Sequence, residues 1–598
     1  MIQTDRRRLL AGSLAFGAAT ASQGLLPAWA QGGVSSGAPA ALSGDHIALR
    51  IGHTPFSLEG RTGHAVTVNG TLPAPLIRLR EGQRAHLSVT NDLAEDTSIH
   101  WHGLLLPFQM DGVPGISFPG IRPGETFHYE FPVMQAGTYW YHSHSNLQEA
   151  MGCYGPLVID PAGAEPVAYD REHVIVLSDW SFIHPHEILA KLKKSPGYFN
   201  RSRTTLSGLV SGEDRMDLAE RRMWGAMRMD PRDIADVNGT TYTYLVNGQG
   251  PQAPWRGLFS PGEKVRLRII NASAMSIFNV RIPGLALRVV QADGADVRPV
   301  ETDELQISVA ETYDVIVEPT ADRAYALVAE SVDRSGMAVG MLAPRPGMSA
   351  EVPPLREVPT LTMRDMGMGG MGSMAGMDHA AMDHGAMDHA AMGHGPAAPP
   401  AMDHAVMDHA AHQMRDKALA PPGMAVGVGV DMIAPAPVSR LAERPMGLED
   451  VPHRVLTYAQ LVALSPGKDR RAPSRSLEIH LTGNMERFMW GFDGRKFSEL
   501  VEPIAFSRNE RVRVTLVNDT MMAHPIHLHG HFFELVNGAP DGHQPLKHTV
   551  NVAPGSKVTF DLTADAPGDW AFHCHMLMHM HAGMFNVVTV RPLDGGAA

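Results

Sequence analysis

The sequence predicts an all-β protein made of three related domains, and three observations carry that expectation. The segments "EGQRAHLSVTN", "GEKVRLRIIN" and "NERVRVTLVN" each alternate apolar with polar residues, the period of a strand with one buried face. They end at Asn91, Asn271 and Asn518, each nine residues after Gly82, Gly262 or Asn509. Two further strand patterns, "GETFHYEF" and "GSKVTFDL", follow Pro-Gly turns at Pro123-Gly124 and Pro554-Gly555. A repeated β unit accounts for this recurrence. The copies lie 180 and 247 residues apart, so the second interval holds additional chain.

At the N-terminus, Arg6, Arg7 and Arg8 precede Leu9-Leu10 and an apolar run, and Ala28-Trp29-Ala30 supplies small residues for cleavage. Residues 1–30 therefore read as an export signal. The paired arginines favour the twin-arginine route; an ordinary secretory signal with a basic start is the competing reading. The mature chain is expected to begin near Gln31 and to work outside the cytoplasm. No other stretch approaches the roughly 20 apolar residues of a membrane span.

The first domain is expected over 45–162 and the second over 168–345. The second carries a helical insertion near 186–236, where "HEILAKLKK" and "DLAERRMWGAMRM" follow helical spacing. From 346 to 445 the chain is rich in Pro, Gly, Ala, Met and His, with too few branched apolar residues for a core, and is expected to be a disordered linker. Within it Met377, Met382, Met387, Met392, Met402 and Met407 are each followed two positions later by a histidine: His379, His384, His389, His394, His404 and His409. A five-residue step does not hold one face of a helix. The third domain is expected over 446–594.

The net charge of −13 argues against nucleic acid or an anionic membrane as partner. Cys153 and Cys574 are the only cysteines, which excludes a disulfide framework. The chain holds 35 methionines and 31 histidines, and that surplus directs attention to metals.

Four His-x-His pairs fall on strand patterns: His100 and His102 in "SIHWHG", His142 and His144 in "YWYHSH", His527 and His529 in "PIHLHG", His573 and His575 in "FHCHM". Residues i and i+2 of a strand share a face, so each pair offers two imidazoles side by side. Two pairs belong to the first domain and two to the third. Other such pairs read differently: His184-Pro185-His186 opens a helix as a surface cap, and His529-Gly530-His531 and His579-Met580-His581 merely overlap the candidates. Imidazole suits copper, zinc and iron. Cys574 separates these options. A thiolate with two histidines and a weak thioether is the blue-copper ligand set, supplied here by Cys574, His579, Met584 and His524. The alternation around Cys574 turns its thiolate to one site and His573 and His575 to another, so an electron would have a covalent path between them. Cys153, in "MGCYGPLVI", reads as a small buried residue at a strand start.

"HWHG", "YWYHSH", "HPIHLHGH" and "HCH-x3-H-x4-M" resemble, in order and placement, the four copper motifs of the multicopper oxidases. More narrowly the chain resembles the periplasmic copper-resistance branch, in its Met/Asp/His repeats, its N-terminus and "RRMWGAMRMDPRDIADVNGTTYTYLVNGQ". The resemblance implies three cupredoxin-like Greek-key barrels, a periplasmic location and four copper ions. A type 1 copper would take His524, Cys574, His579 and Met584. A type 2 copper would take His100 and His527. One type 3 copper would take His102, His142 and His573, the other His144, His529 and His575. The implied reaction is four-electron reduction of O2 to water. Asp111, in "QMDGVPG", matches an acid near the cluster in bacterial relatives; a turn-forming Asp-Gly is the alternative. Met580 stands where some relatives carry a second acid.

The expected donor is Cu(I), which thioether and imidazole bind well and which the Met/His repeats would gather. Met223, Met227 and Met229 form either a second cuprous site or, preferably, helix packing. A laccase-like oxidation of phenols and copper sequestration with incidental oxidase activity are the competing functions. The expected form is a monomer.

Overall fold

The computed structural model describes residues 41–212, 216, 218–367, 416–500 and 502–593. The export signal and Met377 to His409 lie outside the described residues. The strands form six sheets, two for each of three successive units, and most inward residues join in one large hydrophobic core that spans all three, with smaller clusters beside it.

The three recurrent segments become equivalent strands. Arg84–Asn91, Val265–Asn271 and Arg511–Asn518 each run parallel to an earlier strand and antiparallel to a later one. Gly82, Gly262 and Asn509 all adopt positive φ, 89°, 90° and 62°, at the turn that launches each strand, which is why only glycine or asparagine occurs there. The closing asparagines are fully buried. Each uses its amide to tie the following loop: Asn91 donates to the carbonyls of Glu95 and Ile121, Asn271 to Ser276 and Ile307, and Asn518 to Met522 and Val552. The repeat in sequence is therefore a repeat of one turn and one buried amide.

The insertion is helical, as Pro185–Lys194, Leu206–Ser211 and Leu218–Met227. In the first helix exposed His184 is the N-cap, Pro185 is the first residue, Glu187 lies in the first turn and three lysines in the last, an order that complements the helix dipole. Ile188 and Leu192, four apart, form its buried stripe.

The expectation of an unstructured linker from 346 to 445 fails at both ends. Leu361 and Met366 are buried, as are Met432, Ile433 and Ala434, and Val438–Ser439 pairs with Ser556 and Lys557. Short apolar groups docking on an existing surface need no periodicity, so composition did not reveal them. Cys153 is fully buried just before the strand Tyr154–Asp160. Among the described residues no helix is long and apolar enough to cross a membrane.

Candidate copper centres

Four strands bring the histidine motifs together. In the first unit β1 (His100–His102) pairs antiparallel with β2 (Gly137–His142), setting His100 opposite His142. In the third unit β3 (His524–Leu528) pairs antiparallel with β4 (Gly568–Cys574), setting His527 opposite His573. The two pairs meet across the boundary between units: Nε2 of His573 lies 3.3 Å from Nε2 of His144 and 3.0 Å from Nε2 of His529.

One site forms at the end of β4. Sγ of Cys574 lies 3.6 Å from Nδ1 of His524 and 3.7 Å from Nδ1 of His579, and the two nitrogens are 3.2 Å apart. All three side chains are completely buried. The far nitrogens are engaged: Nε2 of His524 with the Thr520 hydroxyl at 2.7 Å, Nε2 of His579 with Oδ2 of Asp236 at 2.7 Å. Both rings therefore present Nδ1 inward. Met584 is fully buried and hydrogen-bonds through its backbone to Cys574 and His579, which folds the loop back on itself. Burial pushes His579 down to about 3 and the Cys574 thiol up, so both are neutral without a cation, and a bound cation would displace the thiol proton.

The other site collects eight imidazoles. Ligand nitrogens lie within 4.8 Å of one another in the sets His100/His527/His529, His102/His142/His575 and His144/His529/His573. Five of their outer nitrogens are held. Nδ1 of His100 donates to the Asp111 carbonyl at 2.7 Å, that of His527 to the His548 carbonyl at 2.7 Å and that of His573 to the Cys574 carbonyl at 3.0 Å. Nδ1 of His529 donates to Oδ2 of Asp111 at 2.8 Å, and that of His142 to Oε2 of Glu149 at 2.7 Å. Nε2 of His100, His142, His527 and His575, and both nitrogens of His102, are buried without a partner. Burial, the largest cause, together with neighbouring imidazoles holds His102, His142, His144, His527, His529 and His575 well below their ordinary value. Converging neutral imidazoles with orphaned lone pairs, a cost of a few kcal/mol per buried group if left unsatisfied, fit a bound transition metal.

Every motif histidine expected from the sequence is in one of the two sites, and Cys574 joins them as alternation requires. The expected partition of the pair is reversed: His575 groups with His102 and His142, and His573 with His144 and His529. The register is the reason. His573 is still on β4, opposite His527, whereas His575 lies beyond the strand, its N–H bonded to the Pro525 carbonyl and its ring 5.3 Å from Trp140 of the first unit. Asp111 touches both His100 and His529. Glu149, Thr520 and His548 were not found from the sequence, and no motif marks them; Asp236 lies within the segment that carries the resemblance, where nothing singled it out.

Three segments match family models described as "Multicopper oxidase", over residues 50–164, 171–345 and 470–594. The chain is 48% identical to Copper resistance protein A of Escherichia coli, over 99% of this chain and 100% of that protein. It is 49% identical to the Copper resistance protein A homolog of Pseudomonas syringae pv. tomato, over 98% of this chain and 99% of that one. The laccase from Botrytis aclada superposes with a TM-score of 0.60 at 21% identity, covering 93% of this chain and 88% of that one, which shows the shared cupredoxin-like fold. With family matches across all three β units and such similarity along nearly its whole length, this chain belongs to the multicopper oxidases, a family of oxidoreductases.

Proposed function

We propose that the protein oxidises Cu(I) to Cu(II) and reduces O2 to water, serving copper resistance outside the cytoplasm. Four cuprous ions and four protons would be consumed for each O2, giving four cupric ions and two waters. The observation that carries this reading is the placement of Cys574, whose sulfur faces His524 and His579 while its chain neighbours His573 and His575 face the eight-imidazole site.

His524, Cys574, His579 and Met584 would hold one copper and His100 with His527 a second. His102, His142 and His575, and His144, His529 and His573, would hold a pair. When bound, these ions supply one-electron exchange and a place for O2. The chain supplies the rest. Cys574 and its two neighbours offer a short covalent route between the sites. Asp111, Glu149 and backbone carbonyls fix the imidazole orientations, an outer-shell role. Asp111 also keeps Oδ1 3.3 Å from Nδ1 of His100, where a carboxylate can pass on a proton.

Cu(I) is favoured as donor by a cavity of about 140 Å³ lined by Met227, Met229, Met432, Met485 and Met521. Asp230, Asp233, Asp431, Asp519 and Glu486 line it alongside Arg203 and Arg228, so acidic groups outnumber basic ones. Thr520 also lines it, and its hydroxyl bonds His524, so the cavity ends one side chain from the thiolate site. Met227 packs with Trp224 and Ile234 as well, so the expected helix packing and the cavity share these residues. Similarity to Copper resistance protein A supports the physiological setting.

Oxygen uptake by the copper-loaded chain with stabilised Cu(I) and with a phenol tests the reading. Preference for Cu(I), weakened by deleting 368–415, is expected. Phenol turnover indifferent to added copper would favour a laccase, and copper binding without uptake would favour storage. Cys574→Ser should remove the blue absorption and turnover of every donor.

A further inference from the structure

The middle unit gives no imidazole to the eight-imidazole site, yet one of its turns touches both units that do. The strands Leu287–Ala292 and Ala295–Thr302 form a hairpin in which Ala292 faces Ala295, leaving Asp293-Gly294 as a two-residue turn. Both residues have positive φ, 48° and 75°, the tight hairpin turn that an Asp-Gly pair favours. Toward the first unit the turn packs on β2. A Cβ at Gly137 would lie 2.3 Å from the Gly294 carbonyl oxygen, and a Cβ at Gly294 would lie 2.4 Å from the Tyr139 side chain. Toward the third unit, Oδ2 of Asp293 accepts from the N–H groups of His548 and Thr549 at 3.3 and 3.1 Å. We propose that Asp293 is a positioning residue of the eight-imidazole site, setting the ring of His527 through the His548–Thr549 backbone. The inference rests on the copper reading above.

The path from this carboxylate to the ring is short. Nδ1 of His527 donates to the His548 carbonyl at 2.7 Å, and the Thr549 hydroxyl stands 3.2 Å from the same nitrogen. These contacts direct Nε2 of His527 inward, and they come from the same two residues whose N–H groups Asp293 holds. The strand Thr549–Val552 lies at the edge of its sheet and pairs only with β3, so its outer side has no strand to satisfy it. Asp293 takes that place at Thr549. The carboxylate is itself fixed. It is fully buried, Oδ1 accepts from the Thr312 N–H at 3.1 Å, and Oδ2 lies 3.2 Å from Nζ of Lys547, which Glu311 holds from its other side at 2.9 Å. Thr312 in turn donates its hydroxyl to the Thr138 carbonyl on β2 at 3.1 Å. One turn therefore references the His527 backbone support to the strand that carries His142. A buried carboxylate with this many donors holds its geometry, because charge-assisted hydrogen bonds are short and strong.

Glycine at position 293 keeps the positive φ and removes the carboxylate, and asparagine keeps the turn with one acceptor oxygen. In the oxidised, copper-loaded chain the isolated copper at His100 and His527 gives its own electron paramagnetic resonance signal, apart from that of the thiolate-bound copper. For Asp293→Gly we expect a changed hyperfine splitting of that signal, about 10-fold faster loss of that copper to a chelator, and a kcat for O2 consumption about 10-fold lower. KM for the donor and the blue absorption should match the parent's, which a general loosening of the fold would not allow. Asp293→Asn should show the same changes at smaller size, and it decides the matter if the glycine variant fails to fold. A signal and a rate of copper loss equal to the parent's in the folded variant would overturn the proposal. So would an equal loss of the blue absorption, which would make Asp293 a brace between units and nothing more. Absence of the isolated copper signal from the parent chain would instead sink the copper reading itself.

Discussion

Asp236 and His579 stand 343 positions apart in the chain and share a 2.7 Å hydrogen bond, Nε2 of the imidazole donating to Oδ2 of the carboxylate. Asp236 comes from just beyond the helical insertion of the second unit, and His579 from the loop that returns to Cys574. The bond ties the middle unit, which carries none of the four strand-borne His-x-His pairs, to the Cys574 site. It fixes which nitrogen His579 offers, and it places a carboxylate at the outer edge of a ring through which an electron would enter.

Asp236→Ala should therefore weaken the thiolate site without unfolding it. Loss of an outer-shell partner typically lowers affinity or activity 10- to 100-fold. We expect kcat/KM for Cu(I) to fall by roughly that factor, with a changed blue absorption. Asp236→Asn keeps an acceptor oxygen and should fall between the variant and the parent. An unchanged spectrum and rate in Asp236→Ala would show that packing against Trp490, whose ring centroid is 4.1 Å away, suffices to orient His579.

Asp111 and Glu149 orient three imidazoles of the eight-imidazole site: His100 and His529 through Asp111, His142 through Glu149. The side chain of Asp111 reaches His529, while its backbone reaches His100. Asp111→Ala should thus free His529 more than His100, and Glu149→Ala should free His142. Each should reduce O2 consumption by about 10- to 100-fold while leaving the blue absorption of the Cys574 site intact. Loss of that absorption in either variant would contradict the separation of the two sites.

The parts of this arrangement that were legible in the sequence are those governed by short-range periodicity. Alternation placed His100 with His102 and His573 with His575, and turned Cys574 away from its neighbours. The triple recurrence of a turn and a closing asparagine revealed three β units. What could not be read depends on register and on contacts between distant segments. Whether His573 or His575 joins His102 is decided by where β4 ends, and nothing in "HCH" marks that point. Asp236, Glu149 and His548 act across 343, 7 and 21 positions on partners that share no motif with them. Leu361 and Met432 looked like parts of a linker because single docked side chains leave no period.

The methionine cavity gives a substrate-selective test. Met229→Leu and Met485→Leu nearly conserve volume and should cost less than about 1.5 kcal/mol in stability each. They remove thioethers that would bind Cu(I) but that a phenol does not need. We expect the double variant to raise KM for Cu(I) several-fold while phenol turnover stays constant. An equal loss with both donors would place these residues in the packing alone.

Acid should loosen the contact between the first and second units in a defined window. Arg78 of the first unit forms an ion pair with Glu172 of the second, and Glu172 also accepts from Nε of Arg268 at 2.9 Å. Arg268 reaches back to the Thr138 hydroxyl of the first unit and to Asp314, both at 2.9 Å. Burial alone would push the Glu172 carboxyl up, but Arg268 and Arg78 outweigh it and hold the group down at about 2, against an ordinary value of 4.5. A depressed carboxylate contributes stability that is fully present above its unfolded value and disappears as the pH falls through its folded one. The window is therefore from about 4.5 down to about 2, and the contribution is about 3 kcal/mol. Glu172→Gln should cost at least that much at pH 7, because it also leaves buried guanidinium groups short of a partner. The difference between variant and parent in urea unfolding should shrink steadily as the pH is lowered through the window, since the parent carboxyl then becomes as neutral as the amide. A difference that stays constant from pH 7 to pH 3 would mean that shape rather than charge at position 172 holds the two units together.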